Sequence, residues 1–126
     1  MEVTSHDERR LKLELRLAQL EKNETCQKQF LSFVKTIWPS FIQGRHHEII
    51  AEKLERVARG ELKRLIINMA PRHTKSEFAS FLFPAWMMGK NPNMKIIQAT
   101  HTTELAVNFG RKVKNLLDTE EFREVF

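Results

Sequence analysis

The residues best suited to chemistry stand in one stretch, Leu65-Ile66-Ile67-Asn68-Met69-Ala70-Pro71-Arg72-His73-Thr74-Lys75-Ser76-Glu77. An apolar, β-branched run breaks at Ala70-Pro71 and ends in Lys75-Ser76, where an amphipathic segment begins. Buried strand, tight turn, then a helix opening on a lysine and a hydroxyl is the order of a phosphate-binding loop. Backbone N–H groups at a helix start, with the positive end of the helix dipole, make a site for a polyphosphate. Lys75 would add a point charge for the β- and γ-phosphates, and Ser76 a hydroxyl ligand for Mg²⁺. Registered on these two residues, the pattern G-x-x-x-x-G-K-[ST] places Met69 and Thr74 where glycines are used to turn the backbone. A β-branched Thr74 resists positive φ, at a cost of about 1–2 kcal/mol where that conformation is required. The other reading of the same residues is a helix start capped by Thr74 or Ser76, with Lys75 simply solvated.

The elements that must position this loop follow from periodicity. Residues 8–24 are dense in mixed charge, with Leu11, Leu13, Leu15, Leu17 and Leu20 between, all in a context of good helix formers. Leu13, Leu17 and Leu20 are expected to line one face, widened by Leu11 and Leu15, and to dock on the domain or, as the alternative, on a partner protein. Phe30, Phe33, Val34, Ile37 and Trp38 predict a second helix, stopped by Pro39. His46 to Arg59 predicts a third, with Ile50, Leu54 and Val57 inward and Gly60 at its end.

Leu65–Met69 then reads as a strand, and Phe78, Ala79, Leu82 and Phe83 as a helix face that Pro84 kinks or restarts. Gly89-Lys90-Asn91-Pro92-Asn93 marks a turn before a second strand at Met94–Thr100. A further helix carries Leu105, Ala106, Phe109, Val113, Leu116 and Leu117, and Asp118 with Glu121 resembles a capping box for one more. Strand, helix, parallel strand, helix is a right-handed crossover with the loop at the carboxyl end of its first strand. The predicted fold class is therefore α/β: a P-loop NTPase-type βαβ unit with parallel strands, preceded by two or three N-terminal helices. Two parallel strands are too few to stand alone, so the domain is expected to be incomplete.

A chain of 126 residues can bury one core, and its net charge of +5 favours an anionic partner, nucleotide or nucleic acid first. The single cysteine, Cys26, excludes an internal disulfide framework and fits a reducing compartment. No apolar run reaches membrane-spanning length, and Met1-Glu2-Val3-Thr4 does not open a signal peptide.

Trp38-Pro39-x-Phe41-x-x-Gly44-x-His46-His47, Gly60-Glu61-x-x-Arg64-Leu65-Ile66-Ile67-Asn68, Pro71-Arg72-His73-x-Lys75-Ser76-Glu77 and Phe83-Pro84-Ala85-Trp86 occur in that order. Together they resemble the large terminase subunit of tailed bacteriophages, over about Phe30 to Phe126. The resemblance implies the N-terminal part of an ATPase domain, the motor that packages viral DNA into the procapsid, with a nuclease domain further along. On that reading residues 1–25 are a polar segment and amphipathic helix, and residues 26–126 the N-terminal portion of the ATPase domain. The family usually has proline where this chain has Ala70 and glycine where it has Thr74.

The resemblance assigns Pro71, Arg72, His73, Thr74, Lys75 and Ser76 to a Walker A loop for ATP, with Ser76 on Mg²⁺. Lys75 and Arg72 become the catalytic candidates, since an arginine in the loop would stabilise charge on a transferred phosphoryl group. The other reading of Arg72 is a loop arginine paired with a nearby carboxylate. Gln43 and His47, with His46 beside it, fall where the family places adenine-side contacts. Gln43 has donor and acceptor groups for an adenine edge, and a histidine ring would stack on the base. As metal ligands the adjacent His46 and His47 are poorly spaced. The implied partners are double-stranded viral DNA, the portal protein, a small terminase subunit and further copies of the chain in a ring. The implied location is the cytoplasm of the bacterial host, away from any membrane.

No apolar run ends in the acidic pair that hydrolysis needs, and no aspartate cluster suits a two-metal nuclease. The chain is therefore expected to bind ATP without hydrolysing it or cutting DNA alone. Arg111, Lys112 and Lys114 are either DNA-phosphate contacts or a solvated helix face. The rival readings are another P-loop NTPase, helicase-like, or a non-catalytic helical module for DNA or protein with a dead loop.

Overall fold

A computed structural model describes residues 5–126; the opening Met1-Glu2-Val3-Thr4 lies outside the described residues. Helices run over Ser5–Lys28 (α1), Phe30–Ile37 (α2), Arg45–Ala58 (α3), Phe83–Lys90 (α4), Thr103–Leu117 (α5) and Glu120–Val125 (α6), with a π-helical turn at Glu77–Leu82 leading into α4. Helix accounts for 68% of the chain, and among the described residues there is no strand and no sheet. This overturns the expected α/β fold with its parallel βαβ unit. Leu65–Met69 is extended and alternates half-buried Leu65, Ile67 and Met69 with exposed Ile66 and Asn68, and Met94–Thr100 alternates in the same way. Period-2 burial is what a strand's pleat produces, but a strand also needs a ladder. Among the described residues no backbone hydrogen bond joins these two segments to each other or to a third.

The core is aromatic and helical. Phe30 is fully buried and meets Phe78 and Phe83 edge-on, at 5.5 and 5.8 Å between ring centroids, with Trp86 at 5.4 Å. Ile50, Ala51 and Leu54 of α3, Val113 and Leu116 of α5, and Phe122 and Val125 of α6 complete it. The Trp86 indole N–H donates to the Cys26 carbonyl at 2.9 Å, which ties α4 to the end of α1 without an orphaned polar atom. Gln29 supplies no side-chain cap to α2, and Glu55 of α3 accepts from the Phe30 N–H instead, at 2.9 Å.

Pro84 explains the π-helical turn. It has no N–H for the Ser80 carbonyl four residues back, and its ring crowds that carbonyl. The helix widens through Glu77–Leu82, and the Gln98 side-chain N–H donates to Ser80 O at 2.5 Å. Helix therefore continues through Pro84 without a break. Three helix limits match expectation closely: α2 stops before Pro39, α3 ends ahead of Gly60 at φ 77°, and Asn91 closes α4. One cap shifts by a residue: Thr119, not Asp118, accepts from Phe122 N and opens α6.

α1 departs most from its expected role. Only its last third docks, through buried Cys26 and through Asn23 and Gln27, which donate to the Glu124 and Val125 carbonyls at 2.7 and 2.5 Å. Residues 5–18 are exposed throughout. At 100° per residue, Leu11 and Leu15 fall opposite Leu13, Leu17 and Leu20, so the leucines form two stripes on opposite sides instead of one broad face. No helix among the described residues is long and apolar enough to cross a membrane.

Candidate functional site

Between the extended segment at Leu65 and the helical turn at Lys75, residues 69–77 fold into a cleft of about 450 Å³ lined by Met69 through Glu77. Two residues in it hold left-handed backbone conformations, Arg72 at φ 65° and Thr74 at φ 62°. For a β-branched residue that is an uncommon state, costing on the order of 1–2 kcal/mol. Thr74 stands at the position where the loop pattern uses glycine, and it adopts the conformation that glycine would.

What holds Thr74 there comes from α3. Gly44 N–H donates to His47 Nδ1 at 2.8 Å, which leaves the proton on Nε2. That Nε2–H donates to Thr74 Oγ1 at 2.6 Å, and the Thr74 hydroxyl donates in turn to the His73 carbonyl at 2.6 Å. His47 is 5% exposed, wedged against Phe41 and Phe78 with ring centroids 4.7 and 5.1 Å away. Burial, reinforced by the neighbouring His46 and His73, holds its imidazole below the usual histidine range. The expected adenine-side role for His47 thus meets a different arrangement: the ring backs the loop through Thr74. The adjacent His46 ring stands 6.1 Å from that of His73, bringing a second histidine of α3 to the loop.

The charged residues of the loop are available. Among the described residues neither Arg72 nor Lys75 makes an ion pair, so the alternative of Arg72 bound to a carboxylate is not realised. Phe78 N–H, bonded to Thr74 O at 3.0 Å, makes the first backbone hydrogen bond of the helix. Among the described residues the N–H groups of Lys75, Ser76 and Glu77 have no acceptor, and Ser76 makes no side-chain cap. The acid lining this cleft, Glu77, is held by Lys112 of α5 at 3.0 Å. Lys112 is thus paired with Glu77 and is not a free cation on α5.

Gln43 is not part of the cleft lining. Its side-chain N–H donates to Glu48 at 2.6 Å, and its carbonyl oxygen is buried with no partner among the described residues. Contact with an adenine would require that side chain to turn. No group of three or more His, Cys, Asp or Glu able to hold a metal ion occurs among the described residues. Ser76 would offer one oxygen ligand, and a Mg²⁺ bound here would draw the rest of its shell from phosphates and water.

A mostly apolar cavity of about 730 Å³ lies on the other side of Glu77, walled by Ile37, Trp38, Phe81, Leu82, Lys112 and Leu116. Sequence reasoning had no signal for it, because its walls come from α2, the π-helical turn and α5. The Glu77–Lys112 pair was equally invisible, since its partners lie 35 residues apart. Comparison with family models, curated proteins and solved structures finds no match to this chain.

Proposed function

We propose that the chain is the nucleotide-gripping N-terminal part of a phage terminase-type DNA-packaging ATPase, and that residues 71–76 receive the phosphates of ATP. The carrying observation is the set of uncommitted donors around one cleft: Arg72, Lys75, and the N–H groups at the start of the helix. Taking Glu77 out of play through Lys112 favours an anion further, because an unpaired carboxylate beside the cleft would repel it. Lys75 would contact the β- and γ-phosphates, Arg72 the γ-phosphate, and Ser76 would offer its hydroxyl to Mg²⁺. Bound ATP would supply a transferable phosphoryl group; this chain's residues bind and orient it. Among the described residues Glu77 is the one carboxylate lining the cleft and it is paired with Lys112, so binding without turnover is expected. In the intact motor the partners are viral DNA, the portal, a small terminase subunit and further large subunits, in the host cytoplasm.

Equilibrium titration with a fluorescent ATP analogue and Mg²⁺ tests this reading. Saturable binding that Lys75→Ala weakens at least about tenfold, a loss of about 1.4 kcal/mol, is expected. Affinity unchanged by Lys75→Ala overturns the loop assignment and leaves a helical module with an inert loop.

A further inference from the structure

The exposed part of α1 presents a leucine stripe flanked by charges of both signs. At 100° per residue Leu13, Leu17 and Leu20 form one stripe, and they are 66%, 59% and 48% exposed. The stripe keeps heptad spacing: Leu17 takes position a, with Leu13 and Leu20 at the two d positions around it. The flanking positions are then fully determined. Glu14 and Glu21 fall at e, and Arg9 and Arg16 at g.

In a parallel pair each g residue faces the e residue of the next heptad on the other helix. Arg9 then meets Glu14 of the second copy, and Arg16 meets Glu21, on both sides of the seam. In an antiparallel pair g faces g and e faces e, which sets arginine against arginine and glutamate against glutamate. The opposite stripe, Leu11 and Leu15 followed by Ala18, has less apolar surface, and its e and g positions give Asp7 with Lys12 but then Glu14 with the neutral Gln19. The first stripe is therefore the stronger seam.

The fold leaves that seam open. α1 docks on the body through Asn23, Cys26 and Gln27, and Gln27 holds the d position after Leu20, so the open seam runs from Leu13 to Leu20. Arg16 and Glu21 make no side-chain ion pair among the described residues, while Glu14 is held within the helix by Arg10 at 3.0 Å. We infer that α1 forms a parallel, in-register two-stranded coiled coil with α1 of a second copy of this chain, specified by Arg9–Glu14 and Arg16–Glu21 pairs between the copies. Three leucines per strand make a short seam, so the pairing is reversible and concentration-dependent.

Sedimentation equilibrium of the whole chain at low salt tests it. A monomer–dimer equilibrium is expected, abolished by Leu17→Glu and unaffected by Leu15→Glu; both residues are exposed, so both variants fold. Arg16→Glu weakens the dimer about tenfold at low salt, and adding Glu21→Arg restores it. Under mild oxidation the Leu20→Cys variant cross-links to itself, as a parallel register requires, while the natural chain with buried Cys26 does not. A chain that stays monomeric up to about 1 mM overturns the inference. So does self-association that follows Leu15 and ignores Leu17, or a dimer in which Leu20→Cys cross-links only to Leu13→Cys.

Discussion

His47 Nε2 and Thr74 Oγ1 stand 2.6 Å apart, joining α3 to a β-branched residue held at positive φ. The contact links two costs. A threonine in the left-handed region is strained, and a buried imidazole N–H without an acceptor is expensive. Each residue relieves the other: the hydroxyl satisfies the ring, and the ring fixes the loop.

Thr74→Val and Thr74→Gly separate these two effects. Valine keeps the branching and the strain but removes the acceptor, and a loss of about 1–3 kcal/mol is expected from the stranded His47 N–H. Glycine removes the acceptor too, yet relaxes the backbone, so it should be less destabilising than valine by about 1 kcal/mol. Urea unfolding of the three proteins gives the order. Valine and glycine variants of equal stability would show that Thr74 is not strained.

The same pair makes stability depend on pH. His47 titrates below its ordinary 6.5 in the folded chain, first through burial and then through the charges of His46 and His73. The unfolded chain takes up the proton at about pH 6.5 while the folded chain resists it. Between the two values the unfolded state binds more protons, so stability rises with pH. This contribution is complete above about pH 6.5 and is lost as pH falls through the folded value. Protonation also sets an N–H at Nδ1 against the Gly44 N–H. Melting temperatures between about pH 7.5 and 5 should fall for the natural chain and fall less steeply for His47→Gln. Equal slopes would remove His47 as the source.

Much of this molecule is legible in its sequence because helices announce themselves locally. The 3.6-residue spacing of Phe30, Phe33, Val34 and Ile37, the stop at Pro39 and the left-handed Gly60 each act within a few residues. The extended segments show where local reading ends. The apolar run Leu65–Met69 reads as a buried strand, yet Ile66 is 86% exposed, because composition alone does not say whether another backbone lies alongside. A strand is a relation between segments, and that relation is missing among the described residues. The loop's charged residues were visible for their types and spacing. The backing of Thr74 by His47 and of Glu77 by Lys112 was not, because those contacts span 27 and 35 residues.

Pro84 and Gln98 are coupled through a carbonyl that neither residue owns. Gln98→Met removes the donor to Ser80 O, a partly buried bond worth about 1 kcal/mol. In a Pro84→Ala background the restored N–H lies four residues from Ser80 and can take over that carbonyl, so the cost of Gln98→Met should shrink. A double-mutant cycle in urea should give a coupling of at least about 0.5 kcal/mol. Additive effects would mean that the π-helical turn does not arise from the missing proline N–H.

The ion pair between Glu77 and Lys112 sets the charge beside the cleft, and it supplies a test of the proposed phosphate site that leaves the loop untouched. Both residues are substantially exposed, so changing either should alter stability little. Lys112→Ala releases the Glu77 carboxylate next to the donors of Lys75 and Ser76, and binding of an ATP analogue should weaken several-fold at low salt. Glu77→Gln should strengthen binding slightly, since it removes the negative charge outright. The double variant Glu77→Gln/Lys112→Ala carries no charge at either position and should recover most of the affinity lost in Lys112→Ala. Titrations at two salt concentrations check the sign and the screening together. If the double variant binds as poorly as Lys112→Ala, then Lys112 touches the nucleotide directly, and its role is not to shield the site from Glu77.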